Sequence, residues 1–203
     1  MTTDNTRGLP VIGAVLLGGA SRRFGTDKAL ADADGQPMGG VVVAALRDGG
    51  CDPVVGVGGL AGATLAIPTV ADRYPGEGPL AALATVLLWA RSGLVVVAAC
   101  DLPRLQASHV RSLVEVAVPG LGGRASIAKV DGEAQPSLAC WPAAAGVRLA
   151  DAVRNGERAW RSAIKIVDHV LVEMPPDSTA DADTPAELAR LMQFWPDVGG
   201  DTH

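Results

Sequence analysis

An apolar run, Val11 to Leu17, leads straight into Gly18-Gly19-Ala20-Ser21-Arg22-Arg23-Phe24-Gly25-Thr26-Asp27-Lys28, a segment that gathers what a polyphosphate needs. Two adjacent glycines let the backbone approach a ligand and adopt positive φ, so that successive N–H groups point at an anion. Ser21 adds a donor, and Arg22, Arg23 and Lys28 place three cations within seven residues of a chain whose net charge is −5. That local reversal of sign suits a nucleoside triphosphate. The bland alternative is a solvated loop with glycines for turning.

Two other phosphate loops do not fit. The dinucleotide fingerprint wants G-x-G-x-x-G, whereas the glycines here are Gly18, Gly19 and Gly25. A Walker loop wants Gly-Lys-Ser/Thr, whereas Thr26 and Asp27 separate Gly25 from Lys28 and no hydroxyl follows the lysine. Transfer of a nucleotidyl group is an in-line attack on the α-phosphorus, for which a protein mainly positions reactants and neutralises growing oxygen charge. Lys28, in an exposed loop, is the candidate contact during transfer, with Arg22 and the Gly18 and Gly19 amides holding phosphates. Asp101 follows the clearest buried strand, Leu94 to Cys100, at the edge where open α/β sheets bind ligands. It is the candidate Mg²⁺ ligand, because that ion needs only one or two protein carboxylates beside substrate phosphates. A plain strand-to-helix aspartate is the competing reading.

These residues resemble the L-x-G-G-x-S-x-R-x-G-x-D-K signature of the molybdenum cofactor guanylyltransferases, the MobA-like nucleotidyltransferases. The resemblance runs from Val11 to the final helix. It implies that Leu17, Gly18, Gly19, Ser21, Arg22 and Lys28 bind nucleotide, and that Cys100-Asp101-Leu102-Pro103 is the family's C-D-x-P metal site. It also implies that Gly78-Pro79-Leu80 lies beside the base and that Asp72 binds a base or ribose group. A capped turn and a surface carboxylate are the alternatives. Gln135-Pro136-Ser137-Leu138 resembles the family's Q-P-L stretch on the pterin side, although a hairpin turn explains the proline equally well. Arg158 and Arg161, spaced i and i+3 on one helix face, are candidates for an acceptor phosphate or else a solvated face.

One motif departs from the pattern. Where guanylyltransferases show N-x-N-T-P, this chain has Asp181-Ala182-Asp183-Thr184-Pro185, closer to the D-x-D-T-P of the sister cytidylyltransferases. Asp183 thereby becomes a candidate second magnesium carboxylate opposite Asp101. The resemblance implies Mg²⁺-dependent transfer of GMP from GTP to molybdopterin, releasing pyrophosphate, with molybdenum-insertion or pterin-handling proteins as partners. A cytidylyltransferase, a nucleotidyltransferase with another small phosphorylated acceptor, and a non-catalytic nucleotide-binding protein remain open.

The elements that must position these residues read as alternating strands and helices, the sign of βαβ units. Strands are expected at Val11–Leu17, Pro53–Val57, Ile67–Ala71, Leu94–Cys100 and Val167–Glu173, with an antiparallel pair at Ala125–Val130 and Ser137–Trp141. Helices are expected at Val41–Leu46, bounded by glycine pairs, and at Pro79–Arg91, Ala107–Val118, Ala144–Arg154 and Ala159–Ile166. Thr184 and Pro185 open a last one as N-cap and first-turn proline. The fold class is α/β: a single Rossmann-like three-layer domain over 11–195, with a mostly parallel sheet, an antiparallel addition and tails at 1–10 and 196–203. At 203 residues one core suffices. Aromatics are 3% of the chain, so that core must be aliphatic.

A pI near 5.1 offers no field for nucleic acid. Apolar runs fall far short of the ~20 residues of a membrane helix. Cys51, Cys100 and Cys140 form neither a C-x-x-C nor an even framework, and with no secretory leader this predicts a reducing cytoplasm. His109, His169 and His203 are scattered, and no G-x-S-x-G elbow supports a hydrolase.

Overall fold

A computed structural model describes residues 10–18, 27–117 and 123–193. Its sheet is centred on apolar runs with no polar face to show to water. Strands β1 (Val11–Leu16), β4 (Val54–Val57) and β6 (Leu94–Ala99) are buried on both sides, as parallel strands covered by helices require. β1 lies between the other two, parallel to each. Ile12, Ala14 and Leu16 face one layer while Val15 and Leu17 face the opposite one.

Two short strands, β2 (Asp32–Ala33) and β3 (Gln36–Pro37), form a separate hairpin. Asp34 and Gly35 turn it with φ of 57° and 81°, the double-positive geometry that Asp-Gly favours. The seven-stranded sheet runs β5-β4-β1-β6-β8-β7-β9, with β5 at Thr69–Val70, β7 at Ala125–Val130, β8 at Glu133–Pro142 and β9 at His169–Glu173. β8 runs antiparallel to both β6 and β7, and β9 closes the edge parallel to β7. This is the α/β domain, mostly parallel with an antiparallel addition, that the sequence predicted.

Helices α1 (Met38–Asp48) and α3 (Ala107–Ala117) pack on one face through Val42, Leu46, Val110 and Leu113. Helices α2 (Pro79–Ala90), α4 (Gly146–Arg154) and α5 (Trp160–Ile166) cover the other through Leu83, Leu87, Leu149 and Ala163. α2 is apolar almost all round because the sheet lies beneath it and α4 beside it. α6 (Pro185–Gln193) joins the β2–β3 hairpin through Leu188, Ala182, Ala33 and Met38. No helix among the described residues is long and apolar enough to cross a membrane.

Three expectations need correction. Gly39 and Gly40 do not stop a helix before Val41; both lie inside α1. A Cβ on Gly39 would come within 3.0 Å of the Ala29 carbonyl and of Leu65, so the glycine serves close packing. The strand expected over Ile67–Ala71 shrinks to two residues, because Pro68 has no N–H and only its carbonyl joins the ladder, accepting from Gly56 at 2.8 Å. The helix expected from Ala144 begins with a 3₁₀ turn at Ala143–Ala145.

Candidate functional site

Asp101 stands two residues beyond the last residue of β6, which places it at the carboxyl edge of the central parallel strands. Lys28 opens a 3₁₀ turn, Lys28–Leu30, whose N-cap Asp27 accepts a hydrogen bond from the Ala29 amide at 3.1 Å. This anchored turn corrects the expectation of an exposed loop lysine. The Lys28 side chain is only 12% exposed. Its Nζ donates to Asp101 Oδ2 at 2.7 Å and to Asp183 Oδ1 at 2.7 Å.

Asp183 is set by its own local chemistry. Ala182 is fully buried, and its amide donates to the Asp101 carbonyl at 3.3 Å, tying this loop to the end of β6. Glu187 accepts from the Asp183 amide at 2.9 Å, while the Thr184 hydroxyl accepts from the Glu187 amide at 3.2 Å. The Thr184 hydroxyl thereby caps α6 as the Thr-Pro signal predicted, and Glu187 reaches back past it to Asp183. Because Ala182 turns inward, the acids on either side of it turn outward together. Carboxylate oxygens of Asp101, Asp181 and Asp183 consequently lie within 4.8 Å of one another.

The sequence motif alone assigns Asp181 no role. Its signal is the acid-alanine-acid alternation around a buried small residue. Three hard oxygen donors so close together, next to one ammonium, fit a divalent cation such as magnesium better than a soft metal. Burial works against the Lys28 charge, but hydrogen bonds and attraction from Asp101 and Asp183 outweigh it and raise its pKa above the ordinary 10.5. Asp181 is held above the ordinary carboxyl value of 3.8, first by partial burial and then by the negative charges of Asp101 and Asp183.

That direction sets a sign. The folded protein binds the Asp181 proton more tightly than the unfolded chain, so ionised Asp181 costs stability above its folded value, and the cost vanishes as pH falls through that value. Asp181→Asn is expected to raise Tm at pH 7 in the presence of a chelator, with the gain shrinking as pH is lowered toward 3.8. Thermal melts at both ends of that range check it, and a lower Tm at pH 7 would contradict the assignment.

Of the expected phosphate loop, Gly19, Ser21 and Arg22 lie outside the described residues. The Leu17 side chain is buried, so any nucleotide contact there belongs to its backbone. Gly18 and Asp72 both flank Gly58, at 3.7 and 3.9 Å from the position a Cβ would take on that glycine. Gly58 was not singled out by the sequence. Asp72 Oδ1 accepts from the Tyr74 amide at 3.0 Å and the Thr85 hydroxyl at 3.1 Å, which fastens its loop to α2.

Gly78 caps α2 at φ 83° and ψ −179°, with Pro79 in the first turn and Leu80 fully buried. Pro79 also lines a cavity of about 430 Å³ together with Gln135, Pro136, Trp160 and Arg161. Three residues proposed for the acceptor are thus gathered beside the proline proposed for the base. Trp160 joins them in the same lining. Arg161 pairs loosely with Glu133 at 3.6 Å.

Arg158 behaves differently from expectation. It precedes α5, so it shares no helix face with Arg161, and its guanidinium is engaged by Val153, Glu157 and Glu77. The cysteines supply no nucleophile: burial pushes the Cys51 and Cys100 thiols up to about 12 and raises Cys140 as well. His109 is spent on structure, its Nδ1 accepting from the Gln106 amide at 3.2 Å.

Known proteins share this fold. The MobA-like NTP transferase domain matches residues 13–172. A Deinococcus radiodurans protein named "Probable molybdenum cofactor guanylyltransferase" is 33% identical over 187 residues, covering 90% of this chain and 94% of that protein. A Pseudomonas putida protein named molybdenum cofactor guanylyltransferase is 32% identical over 157 residues, covering 74% and 80%. The crystal structure of molybdopterin-guanine dinucleotide biosynthesis protein A from Archaeoglobus fulgidus superposes with a TM-score of 0.73 at 23% identity, covering 89% of this chain and 96% of that one.

Proposed function

The chain belongs to the MobA-like NTP transferase family and is a nucleotidyltransferase, and we propose that it transfers GMP from GTP to the terminal phosphate of molybdopterin, releasing pyrophosphate. The observation that carries this reading is the Lys28 ammonium seated between Asp101 and Asp183 at the carboxyl edge of β6. The relatives named molybdenum cofactor guanylyltransferase support the choice of base and acceptor. An oxygen of the acceptor phosphate attacks the α-phosphorus, the bond to the β-phosphate oxygen breaks, and pyrophosphate leaves with the electron pair. A phosphate dianion is already a nucleophile, so no general base is required, and His109 is engaged by the Gln106 amide.

In this reading Asp101 and Asp183 hold Mg²⁺, with Asp181 beside them. When bound, the ion supplies positive charge for the triphosphate oxygens. Lys28 brings a point charge to the same phosphates, with the Gly18 and Gly19 amides and Ser21 and Arg22 holding the rest. Asp72 and the Gly78-Pro79-Leu80 turn receive the base and ribose, and Gln135, Pro136 and Arg161 receive the acceptor.

Asp183 favours one second reading. An acid in place of the guanylyltransferase amide resembles the cytidylyl branch, so CTP is the competing donor. Equilibrium binding of GTP, CTP and ATP with magnesium, to the native protein and to Asp101→Ala, separates the two. The expected result is a magnesium-dependent preference for GTP that weakens in the variant, with pyrophosphate released once molybdopterin is added. Tighter CTP binding would move the protein to the cytidylyl branch, and binding of no nucleotide would refute the reading.

A further inference from the structure

Arg158 sits where two candidate sites meet. On one side its guanidinium pairs with Glu77, its carbonyl accepts from the Leu80 amide at 3.3 Å, and that carbonyl lies 3.1 Å from where a Cβ on Gly78 would be. On the other side Nη1 donates to the carbonyls of Val153 at 2.8 Å and Glu157 at 2.9 Å, at and just beyond the end of α4. The next three residues, Ala159, Trp160 and Arg161, line the cavity, as does Pro79. Arg158 therefore ties the turn before α2 to the segment that walls the cavity, by its carbonyl at Leu80 and its guanidinium at Glu77.

We propose that Arg158 is a positioning residue that couples the two substrate sites, bracing the Gly76–Leu80 turn against the 155–161 segment so that filling the nucleotide site sets the acceptor wall. The inference rests on the proposed function, which places the base at that turn and the acceptor in that cavity. Gly76 and Gly78 both have positive φ, 80° and 83°, so the turn between them has little stiffness of its own. The planar guanidinium offers several donors in a fixed fork, which is what a brace with partners on two segments needs. Arg158 and Glu77 are each 43% exposed, and an ion pair in that setting adds little to overall stability, so its consequence is geometric. In-line transfer demands that geometry, because the attacking oxygen must lie opposite the leaving group.

Trp160 provides the readout. GTP with magnesium is titrated into the native protein while tryptophan emission is followed, and Trp160→Phe identifies the share that belongs to the cavity. Calorimetry measures GTP binding independently. The expected result is a saturable change in Trp160 emission in the native protein, largely lost at saturating GTP in Arg158→Met and in Glu77→Gln, with melting temperatures close to native. Arg158→Lys, which keeps the charge but not the fork, recovers part of the amplitude.

Full amplitude in Arg158→Met or in Glu77→Gln at saturating GTP overturns the proposal. So does an emission change that survives Trp160→Phe. Native protein that binds GTP without any Trp160 response refutes the coupling alone, whereas absence of GTP binding by calorimetry refutes the underlying function and the coupling with it.

Discussion

Lys28→Ala is expected to lower nucleotidyl transfer roughly 10²–10³-fold, the usual loss when one preorganised donor to a charge-developing oxygen is removed. The effect is large because Lys28 has two tasks. It is positioned to neutralise phosphate charge, and it holds Asp101 and Asp183 at 2.7 Å from a single ammonium. Without it, Asp101, Asp181 and Asp183 face one another within 4.8 Å with no lysine between them. The variant should therefore melt earlier at low salt, and added magnesium should restore much of the difference.

The pH dependence has a definite sign. A raised lysine pKa contributes stability that is present below the ordinary 10.5 and is lost as pH climbs through the folded value. The Tm gap between native protein and variant should thus hold at neutral pH and close on the alkaline side. Pyrophosphate release under single-turnover conditions, with melts across pH and magnesium, tests both parts. Native transfer rates in the variant would reduce Lys28 to a structural clasp.

Gly78→Ala carries the second large effect. At φ 83° and ψ −179° this residue occupies a region that is essentially glycine-only, and a side chain there costs on the order of 1–3 kcal/mol. Space adds to the strain, since the new methyl would lie 3.1 Å from the Arg158 carbonyl oxygen and 3.5 Å from its Cβ. For a chain of this length each kcal/mol shifts Tm by roughly 2–4 °C, so a fall of roughly 2–12 °C is expected. GTP affinity should fall with it, because the turn before α2 must move to relieve the contact. Gly76→Ala is the control: a Cβ there meets nothing within 4 Å, so only the backbone penalty remains. Equal GTP affinity in Gly78→Ala and native protein would remove this turn from the nucleotide site.

The layers were legible because burial on both faces leaves a plain mark. Val95, Val96 and Val97 read as a covered parallel strand, and the structure pairs that strand with β1. Asp101 was findable for the same reason, being the first carboxylate past such a run. Lys28 and Asp183 stand 155 positions apart, and no local pattern links them. Their contact needed the Ala182 amide bound to the Asp101 carbonyl, a tertiary event. Gly39 was misread because glycine marks both helix ends and close helix packing, and only the neighbouring Ala29 decides between them. Arg158 was misread because i,i+3 spacing means nothing until a helix includes both positions, and α5 starts at Trp160.

The direction of β8 has a consequence for how such a protein can change. Parallel strands deliver Gly18 and Asp101 from their carboxyl ends, whereas antiparallel β8, paired at Ala98 with Leu138, arrives at the same edge with its beginning, Gln135 and Pro136. Under the proposed function, the group that is transferred and the molecule that receives it are read by opposite ends of oppositely running strands. Under that function, changes to Gln135 and Pro136 near the start of β8 would act on the recipient from a strand that carries neither Gly18 nor Asp101. Donor and recipient contacts at this edge therefore belong to strands of opposite direction.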